Sequence, residues 1–296
     1  MAARIPALLI ESQRVAHTVA HGTHGRRRAG PGETFWQFRH YDINDARSGI
    51  DWRRSASSDH LFVREREWEA AHTVWLWVDL SPSMRFHSLL AKVSKESRSL
   101  VLALALAELL ARGGERVGLL GGPPFTGRAA ARRVAEMLLG DTSEESLPPN
   151  AKLSRFSECL LFGDFLDPVA LMAERFEAIA AQGVRGHLVQ VLDPAEESLP
   201  YAGRTEFAAS EGRDRVIAGR AESLRERYQE RLERHRTDLT QATRRLGWSF
   251  IIHHTDRPPE EAVLAIHSRL AGIERDYRYR PAQPVGSGAA EAGTRP

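Results

Sequence analysis

Three oxygen-bearing side chains stand at alternate positions where an apolar run stops. They are Asp79, Ser81 and Ser83, in the stretch VWLWVDLSPSM from Val74 to Met84. One carboxylate and two hydroxyls make a half-shell of the hard oxygen donors that Mg2+ or Mn2+ favours, with waters completing the octahedron. Asp164 closes a second apolar run, SECLLFGD, and is positioned to add a carboxylate directly or through a water. So sparing a donor set leaves a coordination position open to an acidic side chain from a partner. The same residues also suit a plain turn, with the serines bonded to backbone groups and with Asp164 and Asp193 capping the helices that follow them.

These residues need elements to hold them. TVWLWVDL, ERVGLLGG, SECLLFGD, VRGHLVQVLDP and WSFIIHHT are short apolar runs that read as strands. Between them lie helical patterns: SKESRSLVLALALAELLARGG, GRAAARRVAEMLLG, PVALMAERFEAIAAQG, residues 218–246 and PPEEAVLAIHSRLAG. Strands alternating with helices of this length imply a mostly parallel α/β sheet covered on both faces, with function gathered beyond the carboxyl ends of the strands. Asp79, Asp164 and Asp193 all fall at such ends. Ahead of this region, residues 5–21 predict a helix, and HLFVREREWE predicts a half-buried strand.

The charge balance is nearly even, with 41 basic and 39 acidic residues and a net charge of +2, so no general argument for a nucleic-acid or membrane-surface partner arises. The basic loop GRRRAG lacks the interleaved aromatics of a nucleic-acid groove. The greasiest stretch, LVLALALAELLA, is broken by Glu108 and is shorter than the roughly 20 residues a membrane span requires. Cys159 is the single cysteine, which excludes an internal disulfide, and its place within an apolar strand predicts core packing. With no secretory leader pattern in MAARIPALLIESQ, the expectation is a soluble, cytoplasmic protein.

Other clusters carry weaker signals. His17, His21 and His24 have metal-compatible spacing but no cysteine or acid beside them, which favours solvated histidines. His253 and His254 alternate along a strand and face opposite ways. Arg39, Arg47, Arg53 and Arg54 lie among Asp42, Asp45 and Asp51, a pattern for an internal ion-pair network or for an anionic ligand. No G-x-S-x-G elbow, H-E-x-x-H helix or phosphate-cradling G-x-x-x-x-G-K loop is present. A phosphatase using Asp79 as nucleophile is the rival enzyme reading. Such enzymes place a second acid two residues later, where this chain has Ser81.

The stretch from Gly32 to Met84 resembles a bacterial family catalogued as domain of unknown function fifty-eight. The matching residues are Phe35, Arg39, Tyr41, Asp45, Arg47, Ile50, Asp51, Trp52, Ser55, Ala56, Leu61, Val63, Arg64, Glu65, Glu67, Asp79, Ser81, Ser83 and Met84. Asn44 and Ser57 depart from the family's usual Gly and Arg. The resemblance implies a von Willebrand factor A-like (Rossmann-type) fold and a metal-ion-dependent adhesion site on Asp79, Ser81 and Ser83. It also implies a non-enzymatic adaptor role beside a MoxR-type AAA+ ATPase in protein maturation or assembly. That kind of site usually takes a Thr from a loop before the fourth strand. Thr142 is the nearest candidate, although no spacing assigns it. A scaffold with a degenerate metal site is the alternative.

The expected organisation is an N-terminal segment, 1–70, packed on the sheet, an α/β domain over 71–275, and a disordered tail over 276–296. Asp51 and Trp52 are expected to be buried.

Overall fold

The computed structural model describes residues 5–23, 35–41, 52–56, 60–66, 72–140, 143–208 and 215–270. Helix α1 (Ile5–Thr23), strand β1 (Phe35–His40), the short helix α2 (Trp52–Ser55) and strand β2 (Phe62–Arg66) come first. The main domain continues with β3 (Thr73–Val78), α3 (Lys95–Arg112), β4 (Arg116–Leu119), β5 (Pro124–Phe125), α4 (Ala130–Gly140), β6 (Glu158–Gly163), α5 (Val169–Ala180) and β7 (Arg185–Leu192). It then runs through α6 (Pro194–Ser198), β8 (Thr205–Ala208), β9 (Arg215–Ala218), α7 (Arg225–Arg245), β10 (Ser249–His254) and α8 (Pro259–Leu270).

Six strands form one sheet in the order β10-β7-β6-β3-β4-β5. Every neighbouring pair is parallel except β4–β5, an antiparallel hairpin at one edge. Chain order therefore runs outward from β3 to one edge, then restarts at β6 and runs to the other. This is the doubly wound, Rossmann-like arrangement, whose order reverses between β3 and β6 and opens a crevice beyond their carboxyl ends.

The apolar runs form strands because both of their faces are covered. Val74, Leu76 and Val78 of β3, with Leu160 and Phe162 of β6, point into a core shared with α1, α3, α4 and α8. Trp75, Cys159, Leu161 and Leu188 point the other way, against Met172, Phe176 and Ile179 of α5, Leu239 of α7 and Trp248. This alternation is the two-residue period of a strand buried on both faces. Leu160 and Phe162 are wholly buried, and truncating either to Ala is expected to cost roughly 2–5 kcal/mol. Helix α3 is buried at almost every position from Leu100 to Ala111, because α1 and α8 cover the face that the sheet does not. Its apolar run, interrupted only at Glu108, is thus that of a central core helix. No helix of the described residues is long and apolar enough to cross a membrane.

Several expectations change. Helix α1 contacts α3, α4 and α8, so it adds a layer outside the helices and does not sit on the sheet. Strands β1 and β2 make their own antiparallel ribbon, with Arg39 opposite Val63 and Arg64 opposite Phe38. Trp52, expected to be buried, is 63% exposed. It opens the short helix α2, whose buried member is Ser55, and the Ser55 hydroxyl accepts the Phe62 N–H at 2.9 Å. The long helix expected over 218–246 starts at Arg225, because Arg215–Ala218 pairs with Thr205–Ala208 as a hairpin and Ala221–Leu224 forms a 3-10 turn. Asp42, Asp45, Arg47, Asp51, His24, Thr142 and the tail 276–296 lie outside the described residues.

Candidate cation site

The ends of β3 and β6 lie side by side at the reversal point, with Val78 paired to Phe162 and the Asp79 N–H donating to the Phe162 carbonyl at 2.8 Å. The parallel register therefore places Asp79 next to Gly163 and Asp164. A Cβ on Gly163 would meet the Asp79 Cβ at 3.2 Å and its Oδ2 at 3.4 Å, so glycine keeps room for the carboxylate. After Asp79 the chain turns at Ser81-Pro82 into a 3-10 turn, Pro82–Arg85, pinned by the fully buried Met84. After Asp164 it turns through Phe165, whose φ of 49° is left-handed. That conformation costs a non-glycine residue on the order of 1 kcal/mol, and Phe165 is held in it by burial and by His235, whose Nε2 lies 2.6 Å from its carbonyl.

These turns bring the sequence-predicted oxygens together. The Ser81 N–H donates to Asp79 Oδ1 at 2.8 Å, the Ser81 and Ser83 hydroxyls lie 3.1 Å apart, and Ser83 Oγ donates to Asp164 Oδ2 at 2.7 Å. Asp164 reaches Ser83 directly, without a bridging water. Asp79, Ser81 and Asp164 are buried, and Ser83 is half-buried. Adjacent oxygens around an octahedral Mg2+, each about 2.1 Å from the ion, lie about 3 Å apart. The spacings of 3.1 and 2.7 Å among the Ser81, Ser83 and Asp164 oxygens are hydrogen-bond lengths that also lie near that value, and hydroxyl and carboxylate oxygens are the donor chemistry a hard divalent cation takes. Among the described residues no group of three or more His, Cys, Asp or Glu side chains is placed to hold a metal. This site has two carboxylates, and its remaining donors are hydroxyls.

Burial pushes the Asp79 carboxyl up to about 7, against the hydrogen bonds from Ser81 and the attraction of Lys95, with Asp164 adding to the rise. Above neutrality, then, a buried negative charge stands here without an ion pair of its own among the described residues.

Sequence reasoning missed the second layer. Lys95, the first residue of α3, is 1% exposed, and its Nζ donates to Asp164 Oδ2 at 2.9 Å and to Glu196 Oε1 at 2.6 Å. Burial alone would favour the neutral amine, but Asp164 and Glu196 keep the ammonium charged and raise its pKa above the ordinary lysine value. A signal was present in the sequence. Lysine in the first turn of a helix faces the positive end of the helix dipole, which disfavours it by a few tenths of a kcal/mol to about 1 kcal/mol and so weakly points to an acidic partner.

Asp193 takes the other role open to it, as a helix cap. It accepts from the Ala195 N–H at 2.8 Å and from the Ser88 N–H and hydroxyl at 2.8 and 2.6 Å, while Glu196 Oε2 accepts the Asp193 N–H at 2.9 Å. This D-x-x-E capping box fixes α6 and the loop through Ser88. The fully buried Gln190 joins the site to α7. It donates to the Asp164 carbonyl at 2.8 Å and accepts from Arg236 Nε at 3.2 Å, and Arg236 forms a two-pronged pair with Glu197.

The remaining candidates stay apart from this cleft. The His17 and His21 rings stack with centroids 4.0 Å apart on the exposed side of α1. His253 and His254 are both buried, and His254 meets Glu197 at 3.1 Å. Burial drives His253 down to about 3. Cys159 is wholly buried in the core.

The family model described as "Protein of unknown function DUF58" matches residues 37–238, more than half of the chain. The chain belongs to this family. The DUF58 match takes in Arg39, Tyr41, Arg64 and Glu65 on and beside the β1–β2 ribbon as well as the whole strand-end cleft. This DUF58 chain is also similar to the uncharacterized proteins Rv1480 of Mycobacterium tuberculosis and Mb1516 of Mycobacterium bovis. Each is 26% identical over 281 residues, covering 87% of this chain and 86% of the relative. Among solved structures, the conserved hypothetical protein BatB from Bacteroides thetaiotaomicron aligns at 12% identity with a TM-score of 0.33, over 68% of this chain and 100% of that one.

Proposed function

We propose that this protein is a non-enzymatic protein–protein interaction module of von Willebrand factor A-like type, working in the cytoplasm. Asp79, Ser81, Ser83 and Asp164 would hold Mg2+ or Mn2+, with Thr142 the nearest candidate for a further hydroxyl. The bound ion would offer an open coordination position to a Glu or Asp of the partner. The partner class is a MoxR-type AAA+ ATPase, with this chain as its adaptor in maturation or assembly of other proteins. The observation that carries this reading is the continuous line of oxygens from Ser81 through Ser83 to Asp164 at the point where the strand order reverses. A site with hard-oxygen donors and Ser81 in place of a general acid supports docking over phosphoryl transfer.

The test is co-purification with a MoxR-type ATPase from the same genome. Complex formation is expected in Mg2+, weakened by chelator and by Ser81→Ala combined with Ser83→Ala. A complex indifferent to both treatments would remove the ion from the mechanism and leave a scaffold, a reading that Lys95 favours because it already supplies a positive charge to Asp164. No complex under any condition would sink the partner assignment.

A further inference from the structure

We propose that Lys95 is a resident, tethered cation of this site, which a divalent ion must share Asp164 with or displace, so that occupancy by metal is weak until a partner's acid adds to it. The proposal rests on the cation-site reading above and concerns how that site is regulated. Asp164 Oδ2, the oxygen in line with the two serines, already carries two donors, Ser83 Oγ at 2.7 Å and Lys95 Nζ at 2.9 Å. The ammonium is held from behind by Glu196 Oε1 at 2.6 Å, with the Phe86 ring centroid 6.0 Å away. Glu196 is itself fixed, because its other oxygen closes the capping box with Asp193.

Two carboxylates, Asp164 and Glu196, therefore share one lysine, and Asp79 feels its charge without contacting it. A lysine whose side chain is 1% exposed cannot swing into water without opening the packing around it. Its charge repels an arriving divalent ion across a few ångströms of low-dielectric interior, where such repulsion is far stronger than in water. Removing that charge should let the same oxygens bind the ion more tightly. It should also leave Asp164 and Glu196 buried without compensation until the ion arrives.

The experiment titrates the full chain with MnCl2 by calorimetry and follows thermal melting in chelator and in Mn2+. It compares wild type, Lys95→Met, Asp79→Ala and the paired variant Lys95→Met with Glu196→Gln. The paired variant removes one charge of each sign and keeps an acceptor for the Asp193 N–H, so it covers the case in which Lys95→Met fails to fold. Expected results are weak Mn2+ binding by wild type, at least about tenfold tighter binding by Lys95→Met, and tightening in the paired variant. In melting, Lys95→Met should fall below wild type in chelator and recover in Mn2+. Binding by Lys95→Met and the paired variant that is equal to or weaker than wild type, with wild-type heats still lost in Asp79→Ala, overturns the lysine proposal and leaves the cation site standing. If Asp79→Ala binds as wild type does, or no variant binds, the cation-site reading fails and the lysine proposal with it.

Discussion

Asp79 and Asp193 end two strands of the same sheet, β3 and β7, and the two side chains are equally buried, at 1% and 0% exposure. Their surroundings differ. Asp193 is saturated: two backbone N–H groups and a serine hydroxyl converge on its oxygens, and in exchange it fixes α6 and the Ser88 loop. Asp79 takes its hydrogen bonds from Ser81 alone among the described residues, and burial pushes it up to about 7. A buried acid that has collected enough donors is architecture. One left short of them is a place where a positive charge is wanted. Asp164, between the two in the sheet order, lies between the two conditions, with Lys95 and Ser83 donating to Oδ2 and the Leu166 N–H reaching Oδ1 at 3.3 Å.

This contrast can be broken most sharply at Asp193. Asp193→Ala removes three hydrogen bonds and the cap, and leaves the Ser88 and Ala195 donors without their acceptor. Stability in urea should fall by about 3 kcal/mol or more while Mn2+ heats persist. Heats that vanish with Asp193 would mean the two acids act as one site.

Asp79 should respond in the opposite direction. Its folded pKa lies above the unfolded value of 3.8, so the fold is penalised progressively as pH rises from about 4 through 7. At about 1.4 kcal/mol per tenfold change in proton affinity, the penalty approaches about 4 kcal/mol above neutrality. Asp79→Asn in chelator should therefore be more stable than wild type at pH 8, by up to that amount, and the gain should shrink to nothing near pH 4. A gain independent of pH would show that the benefit has nothing to do with charge. The smallest effect is expected at half-buried Ser83. Ser83→Ala should cost about 1 kcal/mol or less in chelator, yet weaken Mn2+ binding measurably. A loss confined to stability would return the serine to the role of a turn residue.

The parts of this molecule that were legible in the sequence are those where one physical signal dominates. The long apolar runs of β3, β6 and β7 have no reading except as covered strands, and an acid that ends such a strand lies at the carboxyl edge. The hairpin of β8 and β9 escaped because TEFA and RVIA are four-residue strands on the surface, too short for a period to emerge, and α7 was accordingly drawn too long. Trp52 was misread because a large aromatic among closely spaced matching residues suggests a core anchor, whereas local helix geometry turns it outward. Lys95 and Glu196 were missed for a different reason. Each sits in the first turn of a helix, where charged residues are ordinarily solvated, and only the meeting of two helix starts, 101 residues apart, turns them into a buried pair.

The lone thiol has a practical consequence. Cys159 lies in the centre of the sheet without exposure, and burial pushes its thiol far up, so the folded chain presents no reactive sulfur. Leu89 stands fully exposed next to Ser88 at the rim of the cleft. A cysteine placed there would take a fluorophore or a spin label alone, with every native residue elsewhere kept. Ion entry and partner arrival would then be open to optical or paramagnetic readout at a single reporter position.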